Sequence, residues 1–211
     1  MSDTNIESVT FQPFIGKQYE KEPYKILLLG ESHYRSEFCA EYCATNPDKK
    51  SEITRAVVNR YLAGVHSRYR FFTGALYAIF GQDAKREQME QLAFYNFVQE
   101  YAGDNSRVTP SADVWKAAAQ PFFDVLRELK PDFVVCCGKR LYDHLPDDPD
   151  KEKRAAGTEL FNDGKYLWSR RYFYHIDGRE IPLVAIRHPS SVGFNGSDYH
   201  LRLEKFCAEI N

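Results

Sequence analysis

The chain has 211 residues and a mass of 24.5 kDa, enough for one α/β domain with a packed core and short for two. Its 43% hydrophobic, 15% aromatic and 27% charged residues exclude a disordered, collagen-like or low-complexity polymer. The balance of 28 Lys and Arg against 30 Asp and Glu gives a formal charge of −2, which argues against a protein that coats nucleic acid through a large positive field.

No apolar run approaches the roughly 18 residues of a membrane span. The opening MSDTNIESVT has neither the basic start nor the apolar stretch of a signal peptide, so a cytoplasmic protein without membrane contact is expected. The five cysteines, an odd number, are then expected to be thiols. Residues 1–23, polar and punctuated by Pro13, Gly16 and Pro23, read as an extended lead-in to a single domain over 24–211.

The first element of that domain is a short buried strand, Tyr24 to Leu29, closed by Gly30 and feeding the loop Gly30-Glu31-Ser32-His33-Tyr34. A helix is predicted from Ser51 to Leu62 with Gly64 as its stop, and a shorter one from Ala75 to Phe80. Residues 84–91 favour helix and lead into a core strand, Leu92 to Val98, whose one polar residue is Asn96. Pro110-Ser111 opens an amphipathic helix to about Leu129, ended by Pro131. A buried strand at Phe133 to Cys137 follows, then a short helix from Gly138 to about Leu145. Residues 146–157 read as an exposed acidic loop, Tyr166 to Ile176 and Glu180 to Arg187 as a hairpin around Asp177-Gly178, and Asp198 to Glu209 as a closing helix. Strands alternating with helices imply an α/β fold with a mostly parallel sheet covered on both faces, with its sites at the carboxyl ends of the strands.

Three strand-associated segments bring polar side chains to such ends: Glu31, Ser32 and His33 after the first, Asn96 in the second, and His188 after the last. Residues 49–70 hold six cations (Lys49, Lys50, Arg55, Arg60, Arg68 and Arg70) against Glu52 alone, a local charge of +5 interleaved with Tyr61, His66 and Tyr69. That pattern fits a phosphate-contact surface with stacking groups, which Arg170, Arg171 and Arg187 extend, the acids Asp147, Asp148 and Asp150 facing away.

In its order of motifs the chain resembles the uracil-DNA glycosylase superfamily from about Tyr24 to Cys207. The resemblance rests on YKILLLGESHY, on FFTG at Phe71 to Gly74, on LAFYNFV with Asn96, on PFFDVLRELKPDFVVCCG, and on IRHPSS. It implies a three-layer sandwich with a central, mostly parallel sheet, and a monomer that acts on a damaged base flipped out of single- or double-stranded DNA, without a cofactor. Phe71, or its neighbour Phe72, would stack on the base and Asn96 would read it, with His33 and Tyr34 beside it. His188 would donate to the departing base, while Glu31 orients a water or stabilises the sugar cation, with Ser32 beside it in the catalytic loop. Ser190 and Ser191 would contact DNA, together with Arg60, Arg68 and Arg70 of the basic stretch picked out by its charge. Val192, or Phe194 in its place, would fill the hole left in the stack.

The chain departs from the family at two positions. Ser32 stands where the best-known branch has Asp, and His33 where Pro is usual. No Cys pair precedes the first strand, and Cys39 and Cys43 have helical spacing, so neither an iron-sulfur cluster nor another metal is expected. Two other readings fit the same residues: a non-catalytic nucleic-acid-binding member of this fold, and a GDS-type serine esterase with Ser32 as nucleophile and His188 or His200 as its base.

Overall fold

The computed structural model describes residues 5–65, 70–104, 108–149 and 168–209, together with the backbone of 159–160. Seven strands form one sheet: β1 (Phe14–Ile15), β2 (Ile26–Gly30), β3 (Ala93–Asn96), β4 (Phe133–Cys137), β5 (Glu159–Leu160), β6 (Ser169–Ile176) and β7 (Arg179–Ile186). Their order across the sheet is β1, β3, β2, β4, β7, β6, β5. The four central strands run parallel, and β1, β6 and β5 add antiparallel edges.

The helices are α1 (Glu37–Thr45), α2 (Ile53–Leu62), α3 (Arg70–Phe80), α4 (Ala112–Ala117), α5 (Ala119–Leu129), α6 (Lys139–Asp143) and α7 (Gly196–Glu209). They cover both faces of the sheet because the central strands are apolar on both sides. Leu27, Leu29, Tyr95, Val134, Cys136, Leu183 and Ala185 pack against Trp115, Phe122 and Leu126 of α4 and α5. The alternate residues Leu28, Phe94, Val135, Cys137, Val184 and Ile186 pack against α2, α3 and α7 through Val58, Phe72, Leu76, Tyr199 and Phe206. The α/β sandwich expected from the alternation of elements is the fold observed.

The hairpin follows its turn chemistry. Asp177 and Gly178 both take positive φ, 50° and 78°, as a two-residue type I′ turn requires. Other expectations need correction. The amphipathic segment before Leu129 is two helices with a break at Ala118. Pro121 cannot donate to residue 117 and its ring crowds that carbonyl, so the first helix cannot run through. Helix α3 begins at Arg70, so Phe71 to Gly74 lie on a helix rather than in the segment before one.

Residues 5–23, read as a lead-in, pack into the domain. Phe11 and Tyr19 are fully buried and Phe14 pairs with Phe94 at the sheet edge. Part of the segment expected as an exposed acidic loop is also built in: Asp148 is buried and accepts hydrogen bonds from the His175 backbone and ring, at 3.0 and 2.6 Å. Asp150 lies outside the described residues. All five cysteines are free.

After β2 the chain passes to β3 on one side of it, and later to β4 on the other. This reversal of direction opens a crevice at the carboxyl end of β2, the position where doubly wound sheets bind ligands.

Candidate active site

Gly30 ends β2 at that crevice and Glu31 follows it. Gly30 is paired in register with Asn96, and a Cβ on Gly30 would stand 2.3 Å from the Asn96 side-chain oxygen. Only glycine lets the two strands bring the amide this close. Asn96 is 6% exposed, and among the described residues its amide makes no side-chain hydrogen bond. Such an amide presents one donor group and one acceptor to whatever enters the crevice.

By strand alternation Asn96 faces the α3 side of the sheet, beside Phe94. There the Phe71 ring lies 5.8 Å from Phe94 and 5.3 Å from the His188 imidazole. Phe72 is buried in the core. Of the two phenylalanines expected to stack on a base, Phe71 is therefore the one at the site.

His188 follows β7 and stands beside Gly138, the residue between β4 and α6, which takes φ 123°. The Ser190 backbone N–H donates to His188 Nδ1 at 3.2 Å. Because that N–H can only donate, Nδ1 is the unprotonated nitrogen and the neutral ring carries its proton on Nε2. Nε2 has no partner among the described residues. One side of the residue meets solvent, yet the crevice walls withdraw enough water from the ring to lower its pKa. Glu31 opposes that shift and Arg140 reinforces it. The turn is tied further by Ser191, whose hydroxyl and backbone N–H reach the His188 carbonyl at 2.7 and 2.9 Å. At its tip Val192 is 94% exposed. Phe194, the alternative wedge, is stacked on Tyr199 at 5.0 Å and is not available for that role.

The Glu31 carboxylate is held by Arg140 of α6. Arg140 Nε donates to Oε2 at 2.7 Å and Nη2 donates to Oε1. This is a bidentate pair whose side chains are 11% exposed for Glu31 and 37% for Arg140. The ion pair raises the Arg140 pKa. Arg140 also reaches the Thr109 hydroxyl at 3.1 Å, and the Tyr34 hydroxyl lies 3.5 Å from both partners. No protein-family model matches the chain, and no curated protein matches it.

Two loop residues expected at the site take other roles. The His33 ring is buried edge-on against Phe11 at 5.2 Å and bonded to the Thr54 hydroxyl at 2.9 Å. Burial lowers its pKa to about 4. It is a structural residue joining the loop to α2, and the expected role against a base is corrected accordingly. Ser32 Oγ is buried and makes no hydrogen bond among the described residues. A serine nucleophile needs a base within reach and access to substrate. His200, the second base considered, instead contacts the Ala78 carbonyl and Glu204. The esterase reading and a direct catalytic role for Ser32 are not supported.

The basic stretch is dispersed rather than assembled into one surface. Arg55 is paired with Glu52 and bonded to the Pro13 carbonyl. Arg60 lies over the Phe38 ring at 4.5 Å, and Lys50 stands 5.8 Å from the rings of Phe11 and Tyr101. Arg68 lies outside the described residues. Arg70 lines a 330 Å³ cavity with Ser190, Ser191 and Phe194, next to the Val192 turn. Arg171, expected to extend the surface, is paired with Glu209 at 2.7 Å. Among the described residues no cluster of three or more potential metal ligands occurs, and no helix is long and apolar enough to cross a membrane.

Arg140 joins the site through its ion pair with Glu31 and was not among the residues expected from the sequence. Its signal was its place, three residues past a parallel strand that ends in the same crevice.

Proposed function

We propose that the chain is a uracil-DNA glycosylase-like enzyme that hydrolyses the N-glycosidic bond of uracil, or of a related deaminated base, flipped out of DNA. One observation carries the reading. The Phe71 ring lies 5.3 Å from the His188 imidazole, whose Nε2–H is unengaged among the described residues, Asn96 ends the strand that carries Phe94 on the same face of the sheet, and four residues past His188 an apolar tip, Val192, is 94% exposed.

Extruding a base costs a few kcal/mol, and each of these groups offsets part of that cost. Val192 occupies the vacated stack, Phe71 offers a stacking face, and the Asn96 amide presents a donor and an acceptor that match O4 and N3–H of uracil. Cytosine presents the reverse pattern. In the bond-breaking step the electron pair of the C1′–N bond leaves with the base, and His188 Nε2–H donates to the base oxygen where negative charge develops. A water oxygen bonds to C1′, and the proton that water loses ends on the departing base. Glu31 orients that water and offsets the charge of the sugar cation. With both oxygens held by Arg140, its part is electrostatic rather than proton abstraction.

A second reading, a non-catalytic nucleic-acid-binding protein of the same fold, draws on that occupied carboxylate. Oligonucleotides containing uracil, hypoxanthine or xanthine, single- and double-stranded, separate the two when incubated with the protein and cleaved by alkali. The enzyme reading expects abasic sites that disappear with Glu31→Ala and His188→Ala. Tight, salt-dependent binding with no abasic sites on any substrate favours the binding protein.

A further inference from the structure

We propose that Arg140 is a positioning residue that acts through Glu31 on His188: by holding both carboxylate oxygens it fixes Glu31 in place and plane and tempers, without abolishing, the negative charge that Glu31 presents to the imidazole. The inference rests on the site described above but concerns a residue to which the proposed reaction gives no part. Its first support is geometric. A bidentate guanidinium fixes a carboxylate in both position and plane, which a single ammonium does not.

The second support is the turn after His188. The Ser190 N–H reaches Nδ1 at 3.2 Å, so a protonated Nδ1 would set donor against donor at that distance. The same turn is tied by Ser191 to the His188 carbonyl and carries Val192 at its tip. Protonation of His188 would therefore loosen the segment that the proposed reaction uses to enter the stack.

The charged groups that act on His188 are Glu31 from the end of β2, which favours the imidazolium, and Arg140 from α6, which opposes it. Helix α3 contributes the Phe71 ring, and α6 begins beside it at Gly138. Arg187, next to His188 in the chain, turns its guanidinium toward Gly193 and Tyr199. Glu31 and Arg140 thus act on the ring in opposite senses, Glu31 the more strongly, and without Arg140 the carboxylate would act on it alone.

Titration of the His188 ring by NMR in the DNA-free protein tests the proposal. The variants are Arg140→Gln, Arg140→Lys and the double variant Glu31→Gln/Arg140→Gln, the last of which leaves no unpaired charge. In Arg140→Gln the His188 midpoint should rise by about one pH unit, the size of shift that a nearby opposite charge produces. The Lys variant should lie between, and the double variant should return close to the wild-type midpoint.

Single-turnover excision at saturating DNA should fall several-fold in Arg140→Gln at pH 6, a one-unit shift setting about tenfold as the ceiling, and recover toward wild type at pH 8. An unmoved His188 midpoint in Arg140→Gln overturns the proposal. So does a loss of excision that is independent of pH and accompanied by weaker DNA binding, which would make Arg140 a phosphate contact. If the wild-type protein excises no base, the glycosylase reading fails, and the titration still decides the role of Arg140.

Discussion

Replacing Gly30 by alanine tests whether Asn96 reads the base. The new Cβ would stand 2.3 Å from Asn96 Oδ1 and 3.1 Å from Cε2 and Cζ of Phe94. The backbone cannot open to accept it, because Gly30 pairs with Asn96 and its carbonyl accepts from Phe97 N–H at 2.9 Å. The amide must therefore retreat by about 1 Å to restore ordinary van der Waals contact. Overpacking of this kind costs about 1–3 kcal/mol, or about 2–4 °C of melting temperature per kcal/mol in a chain of this size. A reading group displaced by about 1 Å loses on the order of 100-fold in rate. Single-turnover excision from a uracil oligonucleotide should fall by that factor while DNA affinity is unchanged, since no phosphate contact is touched. Adding Asn96→Ala should relieve the closer of the two clashes and recover part of the melting temperature, the 3.1 Å approach to Phe94 remaining, but not the rate. If Gly30→Ala melts lower yet excises within twofold of wild type, Asn96 does not read the base.

Val192→Ala should slow excision from duplex DNA several-fold and leave single-stranded substrate and thermal stability unchanged, because an exposed side chain contributes within about 0.5 kcal/mol to folding; equal slowing on both substrates would remove Val192 from the wedge role. His33, with a pKa lowered from 6.5 to about 4, binds fewer protons folded than unfolded, so its contribution to stability is present above pH 6.5 and is lost as the pH falls toward 4. Urea unfolding should lose about 2 kcal/mol from this group between pH 7 and pH 5, a loss absent in His33→Gln, and an identical pH dependence in both proteins would refute the assignment. Arg70→Gln should reduce the slope of DNA affinity against salt by about one ion, whereas Arg60→Gln should lower stability through its lost place over Phe38 and leave the slope alone.

The elements that the sequence announces most clearly are those whose local chemistry and tertiary setting agree. The apolar runs of β2 and β4 and the Asp-Gly hairpin form as their residues demand. The break at Ala118 was also written in the chain, but the amphipathic stripe on both sides of it outweighed Pro121. The burial of Phe11 and Tyr19 has no periodic signature, because single large side chains in an irregular segment find their partners only in the tertiary fold.

The site divides in the same way. Glu31, Asn96 and His188 could be placed from the rule that parallel strands present their carboxyl ends to ligands. Adjacency does not give orientation, so His33, two residues past Glu31, turns to Thr54 while Glu31 turns to Arg140. The place of Arg140 just past β4 points to the same sheet end, but its pairing with Glu31 across 109 residues leaves no local trace.

The charge count shows the difference between composition and surface. Six cations within 22 residues look like a footprint for a polyanion. In the fold, however, Arg55 is paired with a carboxylate, Arg60 and Lys50 lie over aromatic rings, and Lys49 lines a mixed polar cavity with Asp48 and Glu52. Each cation over a ring contributes about 0.5–1 kcal/mol to the fold, and Arg55 neutralises Glu52 instead of facing outward. Among the described residues of that stretch, Arg70 alone stands at the turn that carries Val192. If the protein grips DNA through that stretch, the described residues supply a small electrostatic share of the affinity, and on the proposed function selectivity for a flipped base rests on Asn96, Phe71 and His188. Weak dependence of binding on salt, together with strong dependence of excision on those three residues, is what this distribution of charge requires.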